Sequence, residues 1–137
     1  MTGTERELSI VGLSDYLNEL SRVVVDSALL VHRELGPGLL ESVYEACLCE
    51  ELRSRNLRVE RQAKLPIHYR GKELDADLRL DLLVEDQLIL ELKSVDAILP
   101  LHKAQLLTYL KLTQRRLGLL INFNVPLIKD GIHRLAN

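Results

Sequence analysis

Near residue 57 the apolar residues of this chain change their spacing, and that change limits the folds open to it. Upstream, Leu17, Leu20, Val24, Ala28 and Val31 recur at helical intervals. Downstream, Leu57, Val59 and Arg61 alternate with Arg58 and Glu60. A helical period does not settle as a strand, nor a period of two as a helix. The chain must therefore place helices against a sheet.

Local signals mark the elements. Ser14 is a helix N-cap, and residues 15–35 read as an amphipathic helix. Gly36-Pro37-Gly38 stops it, because glycine caps the end and proline cannot continue the ladder. A second helix is expected from Leu39 to Arg55, with Leu40, Val43, Tyr44, Cys47 and Leu48 as apolar positions and Asn56 as terminator. Four extended runs follow. They are Leu57–Arg61, Leu65–Arg70 closed by the turn pair Gly71-Lys72, and a hairpin of Leu78–Val84 and Leu88–Lys93 around Glu85-Asp86-Gln87. Pro100 opens a third helix that continues to Thr113. Leu117–Phe123 suits a buried strand, and Ile132–Leu135 a last edge strand. This order predicts one α/β domain over residues 1–137, built on a mixed sheet.

Composition narrows the function classes. At 137 residues and 47% apolar, the chain can bury a core without disulfides. Its apolar stretches, such as Leu117–Ile121, fall far short of the ~18 residues a membrane span needs. No membrane partner is expected. Met1–Ser9 carries Glu5, Arg6 and Glu7 with no apolar core behind them, so no secretory signal is expected. Eighteen basic and 20 acidic residues leave a net charge of −2, which excludes a protein that coats nucleic acid by bulk charge. A local basic run remains: Arg53, Arg55, Arg58, Arg61, Lys64, Arg70 and Lys72, opposed by Glu51 and Glu60. Cys47 and Cys49 are two apart on a predicted helix and point in different directions. They read as reduced, packed thiols, which suits a cytoplasmic setting.

The hairpin carries the chemistry. A two-residue loop would oppose Asp81 to Leu90 and mix polar with apolar faces. A three-residue loop at Glu85-Asp86-Gln87 opposes Asp81 to Glu91 and gathers the even-numbered leucines on one side. The two carboxylates then stand with Cβ atoms about 5 Å apart, and Lys93 follows roughly 6.6 Å further along the same face. Paired carboxylates repel unless a cation joins them. Mg²⁺ suits the position because it takes oxygen ligands and bridges to phosphate. A lysine alongside can orient or deprotonate an attacking water. The alternative is a solvent-facing sheet edge with alternating charge, against which Leu83 and Ile89 on the same face suggest partial cover.

Asp81, nine residues, then Glu91-Leu92-Lys93 resembles the signature of the PD-(D/E)XK nucleases. Gly38, Glu41 and Tyr44 match the motif of the GxxExxY family within that superfamily. Gln105 to Tyr109 matches the QxxxY helix motif of many such nucleases, and Gly118–Asn124 resembles the closing strand. The resemblance runs from about Leu13 to Leu135 and departs from the signature at Leu80, where the superfamily name has proline. It implies a restriction-endonuclease-like core, with a mixed sheet flanked by helices and an extra N-terminal helix. It implies Asp81 and Glu91 as metal ligands, Lys93 as the catalytic lysine, and Glu41 as a further acid reaching the metal or its water. Gln105 and Tyr109 would line the site.

Each residue also has a plainer reading. Glu41 is a favourable carboxylate in a first helical turn. Tyr109 is a packed tyrosine with its hydroxyl satisfied. Tyr44 favours packing over chemistry. His102 lacks partners at zinc-ligand spacing and reads as a helix-start or substrate-side residue. The function expected is a Mg²⁺- or Mn²⁺-dependent nuclease. Arg53, Arg58, Arg61 and Lys64 would hold the phosphate backbone. DNA is favoured, because 4% aromatic residues offer few platforms for stacking single-stranded bases. By analogy with compact nucleases that pair to span a duplex, a homodimer is a candidate arrangement. The alternative function is a catalytically silent module on the same fold, binding nucleic acid or protein.

Overall fold

The first helix begins where its cap predicts. In the computed structural model, which describes residues 13–137, Leu17 N–H donates to Ser14 Oγ at 3.1 Å. The expectation for Met1–Ser9 lies outside the described residues. Helix α1 (Asp15–Leu35) buries Leu17, Leu20, Val24, Ala28 and Val31. It ends at Gly36, with φ 73° and ψ −179°, a region open in practice only to glycine. Helix α2 (Glu41–Ser54) starts two residues later than predicted, because Leu40 is the extended residue that caps it. Asn56, at φ 64°, closes it as expected.

Five strands follow in the order β1-β2-β3-β4-β5: β1 (Val59–Tyr69), β2 (Lys72–Val84), β3 (Leu88–Lys93), β4 (Leu117–Asn122) and β5 (Ile132–Ala136). Only β3 and β4 run parallel, joined by the crossover helix α3 (Pro100–Thr113). The two predicted runs Leu57–Arg61 and Leu65–Arg70 are one strand, β1. It lies at the sheet edge, where Pro66 is tolerated, and its register slips between Leu65 and Ile67. The turn is Arg70-Gly71, one residue earlier than predicted, with φ 52° and 78° as a tight hairpin turn requires. Strand β2 consequently starts at Lys72, well before Leu78.

The sheet separates two cores. Under α1 and α2 lie Leu82, Val84, Leu88, Leu90, Leu92, Leu117, Leu119 and Ile121. Under α3 lie Leu83, Ile89, Leu120 and Leu135 with Leu106, Tyr109 and Leu110. Strands β3 and β4 are buried on both sides, as a parallel pair requires. The even-numbered leucines do not all share a face. Leu80 and Leu78 join the α3 core, while Leu82 faces α1 and α2. On β1 the same switch separates Val59 from Ala63 and Leu65. Between them Gln62 has φ 53°, and a left-handed residue in a strand breaks the alternation. Cys47 and Cys49 are both free, the second buried. Among the described residues, no helix is long and apolar enough to cross a membrane.

Candidate active site

The β2–β3 turn has three residues, with Glu85 and Asp86 at φ 52° and 57°. Its register is Val84↔Leu88, Leu83↔Ile89 and Leu82↔Leu90, and there the backbone ladder ends. The next pair is held by side chains instead. Asp81 N–H donates to Glu91 Oε1 at 3.2 Å, and Leu92 N–H donates to Asp81 Oδ2 at 2.8 Å. Asp81 and Glu91 thus stand opposite each other, as the loop length predicted. Lys93 ends β3, its carbonyl accepting from Phe123 N–H at 2.9 Å.

Electrostatics mark the cluster. Burial pushes the Glu91 carboxyl up to about 8, with the Asp81 charge adding to the rise. Burial also raises Asp81, while the Leu92 N–H and the Lys93 charge pull it back. Glu41, in the first turn of α2, is raised by burial and then by the Asp81 charge, with Lys93 opposing. Glu41, Asp81, Glu91 and Lys93 thus feel one another's charge. From α3, Gln105 Nε2 donates to the Tyr109 hydroxyl at 3.0 Å. Tyr109 is buried, and its hydroxyl is raised first by burial and then by the Glu91 charge. His102 Nδ1 accepts from Leu99 N–H at 3.0 Å and so serves the start of α3.

Residues 18–135 match the sequence profile of the PD-(D/E)XK nuclease superfamily. The chain belongs to the PD-(D/E)XK nuclease superfamily. Its mixed five-stranded sheet with helices on both faces is consistent with that superfamily's core. No curated protein and no solved structure matches the chain.

Superfamily members typically use Mg²⁺ or a similar divalent ion. Among the described residues, no three His, Cys, Asp or Glu side chains are grouped closely enough to hold a metal ion. Glu41 therefore does not complete a three-acid group with Asp81 and Glu91. The pair itself fits a hard cation. Two oxygen-donor side chains stand together, and Mg²⁺ commonly takes one or two carboxylates and fills its remaining positions with water.

Two residues of this superfamily chain escaped sequence reasoning. Glu45 is buried on α2 and accepts from Arg61 Nε at 2.8 Å and from Gln62 Nε2 at 2.9 Å. It lies four residues after Glu41 on the same helix face, a signal that could have found it. Gln62 had no local signal. It is placed opposite Asp81 by the flanking pairs Arg61↔Leu82 and Ala63↔Leu80.

The four expected phosphate contacts divide. Arg53 and Arg61 are engaged, Arg53 donating to Val59 O at 2.8 Å and Arg61 to Glu45. Arg58 and Lys64 have mostly exposed side chains, paired loosely with Glu85 at 3.4 Å and Asp75 at 3.9 Å. Arg53, Arg58 and Arg61 line an open depression of about 610 Å³ together with Glu60 and Asp86. Glu41, Asp81 and Glu91 do not line that depression. Arg61, which donates to Glu45, links it to α2.

Proposed function

We propose that this protein is a metal-dependent nuclease of the GxxExxY family, hydrolysing phosphodiester bonds in nucleic acid, with DNA favoured. The observation that carries the reading is the side-by-side placement of Asp81 and Glu91, with Lys93 on the same strand, in a chain whose superfamily is shown. Asp81 and Glu91 would hold Mg²⁺ or Mn²⁺, with Glu41 reaching the ion or a water beside it. When bound, the ion supplies Lewis-acid stabilisation of charge developing on phosphate oxygens.

The chain's own residues do the remaining work. Lys93 orients the attacking water and takes part of its charge. The Tyr109 hydroxyl, positioned by Gln105, lines the α3 side of the cluster. Arg53, Arg58, Arg61 and Lys64 hold the backbone without reading sequence. The aromatic share of 4% supports a duplex or branched form over a stacked single strand. The 137 residues act as one domain in the cytoplasm, and a homodimer would let two such sites span a duplex.

A silent binding module on the same fold is the second reading. It is favoured by the lack of a three-acid group among the described residues, and opposed by the survival of both carboxylates and the lysine together. The test is cleavage of a panel of duplex, branched and single-stranded DNA and RNA with Mg²⁺, Mn²⁺ or chelator, beside calorimetric Mn²⁺ titration of wild type and Asp81→Asn. The nuclease reading expects metal-dependent cleavage and loss of metal binding in the variant. Binding of nucleic acid with no turnover under any metal supports the module instead.

A further inference from the structure

Outside the residues named by any motif, the backbone has one irregular point next to the carboxylates. Gln62 lies within β1, flanked by regular pairs on both sides, yet has φ 53°. A residue with a Cβ held there is strained, and such strain persists only where surrounding structure imposes it. The imposing groups are present. Gln62 Nε2 donates to Glu45 Oε2 at 2.9 Å, and the other Glu45 oxygen accepts from Arg61 Nε at 2.8 Å. Glu45 is 5% exposed, so it is a fixed post rather than a surface side chain. Gln62 is also directly opposite Asp81 in the β1–β2 register, at the place where both strands switch faces.

We propose that Gln62 is a positioning residue for Asp81, held in place by Glu45 and Arg61. A primary amide has two N–H hydrogens, one for each neighbour. One goes to Glu45, and Asp81, opposite Gln62 in the β1–β2 register, is the neighbour for the other. A neutral amide thereby separates two carboxylates that would otherwise repel. The Leu92 N–H fixes Oδ2 of Asp81 from the β3 side, and Gln62 steadies the carboxylate from the β1 side. Asp81 is then presented in one orientation to whatever ion it holds. The face switch has the same origin, since the left-handed residue that aims the amide also turns the following side chain into the other core.

This deepens the proposed function and rests on its assignment of Asp81 to the metal, so the test separates the two. Gln62→Gly relieves the backbone strain and removes the amide. The full chain is titrated with Mn²⁺ by calorimetry, its thermal midpoint is measured without metal, and kcat and KM are measured on cleavable DNA. The expected result is a variant at least as heat-stable as wild type, with Mn²⁺ affinity reduced about 10–100-fold, the range for lost partners behind a ligand. On DNA, kcat falls while KM is unchanged. Glu45→Gln should move Mn²⁺ affinity the same way, because an amide offers one acceptor oxygen to two donors. If Glu45 acts through Gln62, adding Glu45→Gln to Gln62→Gly costs no further affinity. Equal Mn²⁺ affinity and turnover in Gln62→Gly would overturn the positioning role and leave the nuclease reading standing. A midpoint well below wild type would also overturn it, by making Gln62 a stability residue. Failure of wild type itself to bind Mn²⁺ would remove the metal assignment, and the positioning role with it.

Discussion

Asp81 and Glu91 meet one step past the last ladder pair of β2 and β3, with the backbone N–H of Asp81 donating to Glu91 Oε1 at 3.2 Å. The chain thus holds one buried and one half-buried acid together using its own amides. Lys93 is the cation their charges feel most directly. With its carboxyl pushed up to about 8, Glu91 keeps its proton near neutral pH, which spares the pair two adjacent charges.

That proton makes stability depend on pH. The folded carboxyl of Glu91 is pushed up to about 8 from an ordinary 4.5. A raised folded value means the folded state binds the proton more tightly. Its contribution is complete below pH 4.5 and is lost as pH rises through 8. Metal-free wild type should therefore become less stable to urea between pH 5 and pH 9, by an amount of the order of a few kcal/mol. Glu91→Gln should flatten most of that slope, and millimolar Mg²⁺ should restore wild-type stability at the alkaline end. Urea midpoints unchanged across this range would contradict the placement.

Lys93 separates chemistry from binding. Lys93→Met keeps the length of the side chain and removes its ammonium. Turnover should fall about 10²–10⁴-fold, the usual contribution of a positioned acid–base group, while Mn²⁺ and DNA affinity change little. Rapid-quench kinetics beside calorimetry distinguish the two effects. Wild-type turnover in this variant would remove Lys93 from the reaction.

The basic residues should differ in what their loss does. Arg58, with a side chain 82% exposed, and Lys64 have no strong internal partners. Arg58→Ala and Lys64→Ala should each reduce the salt dependence of duplex binding by about 0.9 in log–log slope, with the urea midpoint unchanged. Arg61→Ala should in addition destabilise the fold by about 1–3 kcal/mol, because it strips a donor from buried Glu45. Fluorescence anisotropy across a salt series provides the slopes.

Tyr44 should act on stability first. Its hydroxyl donates to Gly36 O at 2.6 Å and accepts from Leu39 N–H at 3.1 Å, while its ring stacks on Phe123 at 4.5 Å. Tyr44→Phe keeps the stack and leaves two backbone groups unpaired, so it should cost about 1–3 kcal/mol in chemical unfolding. Turnover should drop as well, because the loosened Gly36–Leu39 segment leads directly into Glu41.

Much of this molecule follows from local rules in the chain. The period change at residue 57, the Ser14 cap and the Gly36 stop are interactions between residues a few positions apart, and they place the helices. The three-residue turn at Glu85–Gln87 sets the β2–β3 register, and through it the meeting of Asp81 and Glu91. The joining of two runs into β1 was not legible, because an edge position excuses a proline that a central strand would reject. Nor was the face of Leu80, since period two assumes an unbroken pleat and β2 changes face between Leu82 and Leu80. Glu45 and Arg61 meet across 16 positions, and Gln62 meets Asp81 across 19, through the packing of α2 on the sheet and the pairing of β1 with β2. Sequence alone determined the helices, the β2–β3 turn and the pair of acids, because a turn of known length acts over a few bonds. Tertiary structure alone decided what buries those acids, raises their proton affinity and holds Asp81 in place, because desolvation and cross-element hydrogen bonds exist only once the helices have closed on the sheet.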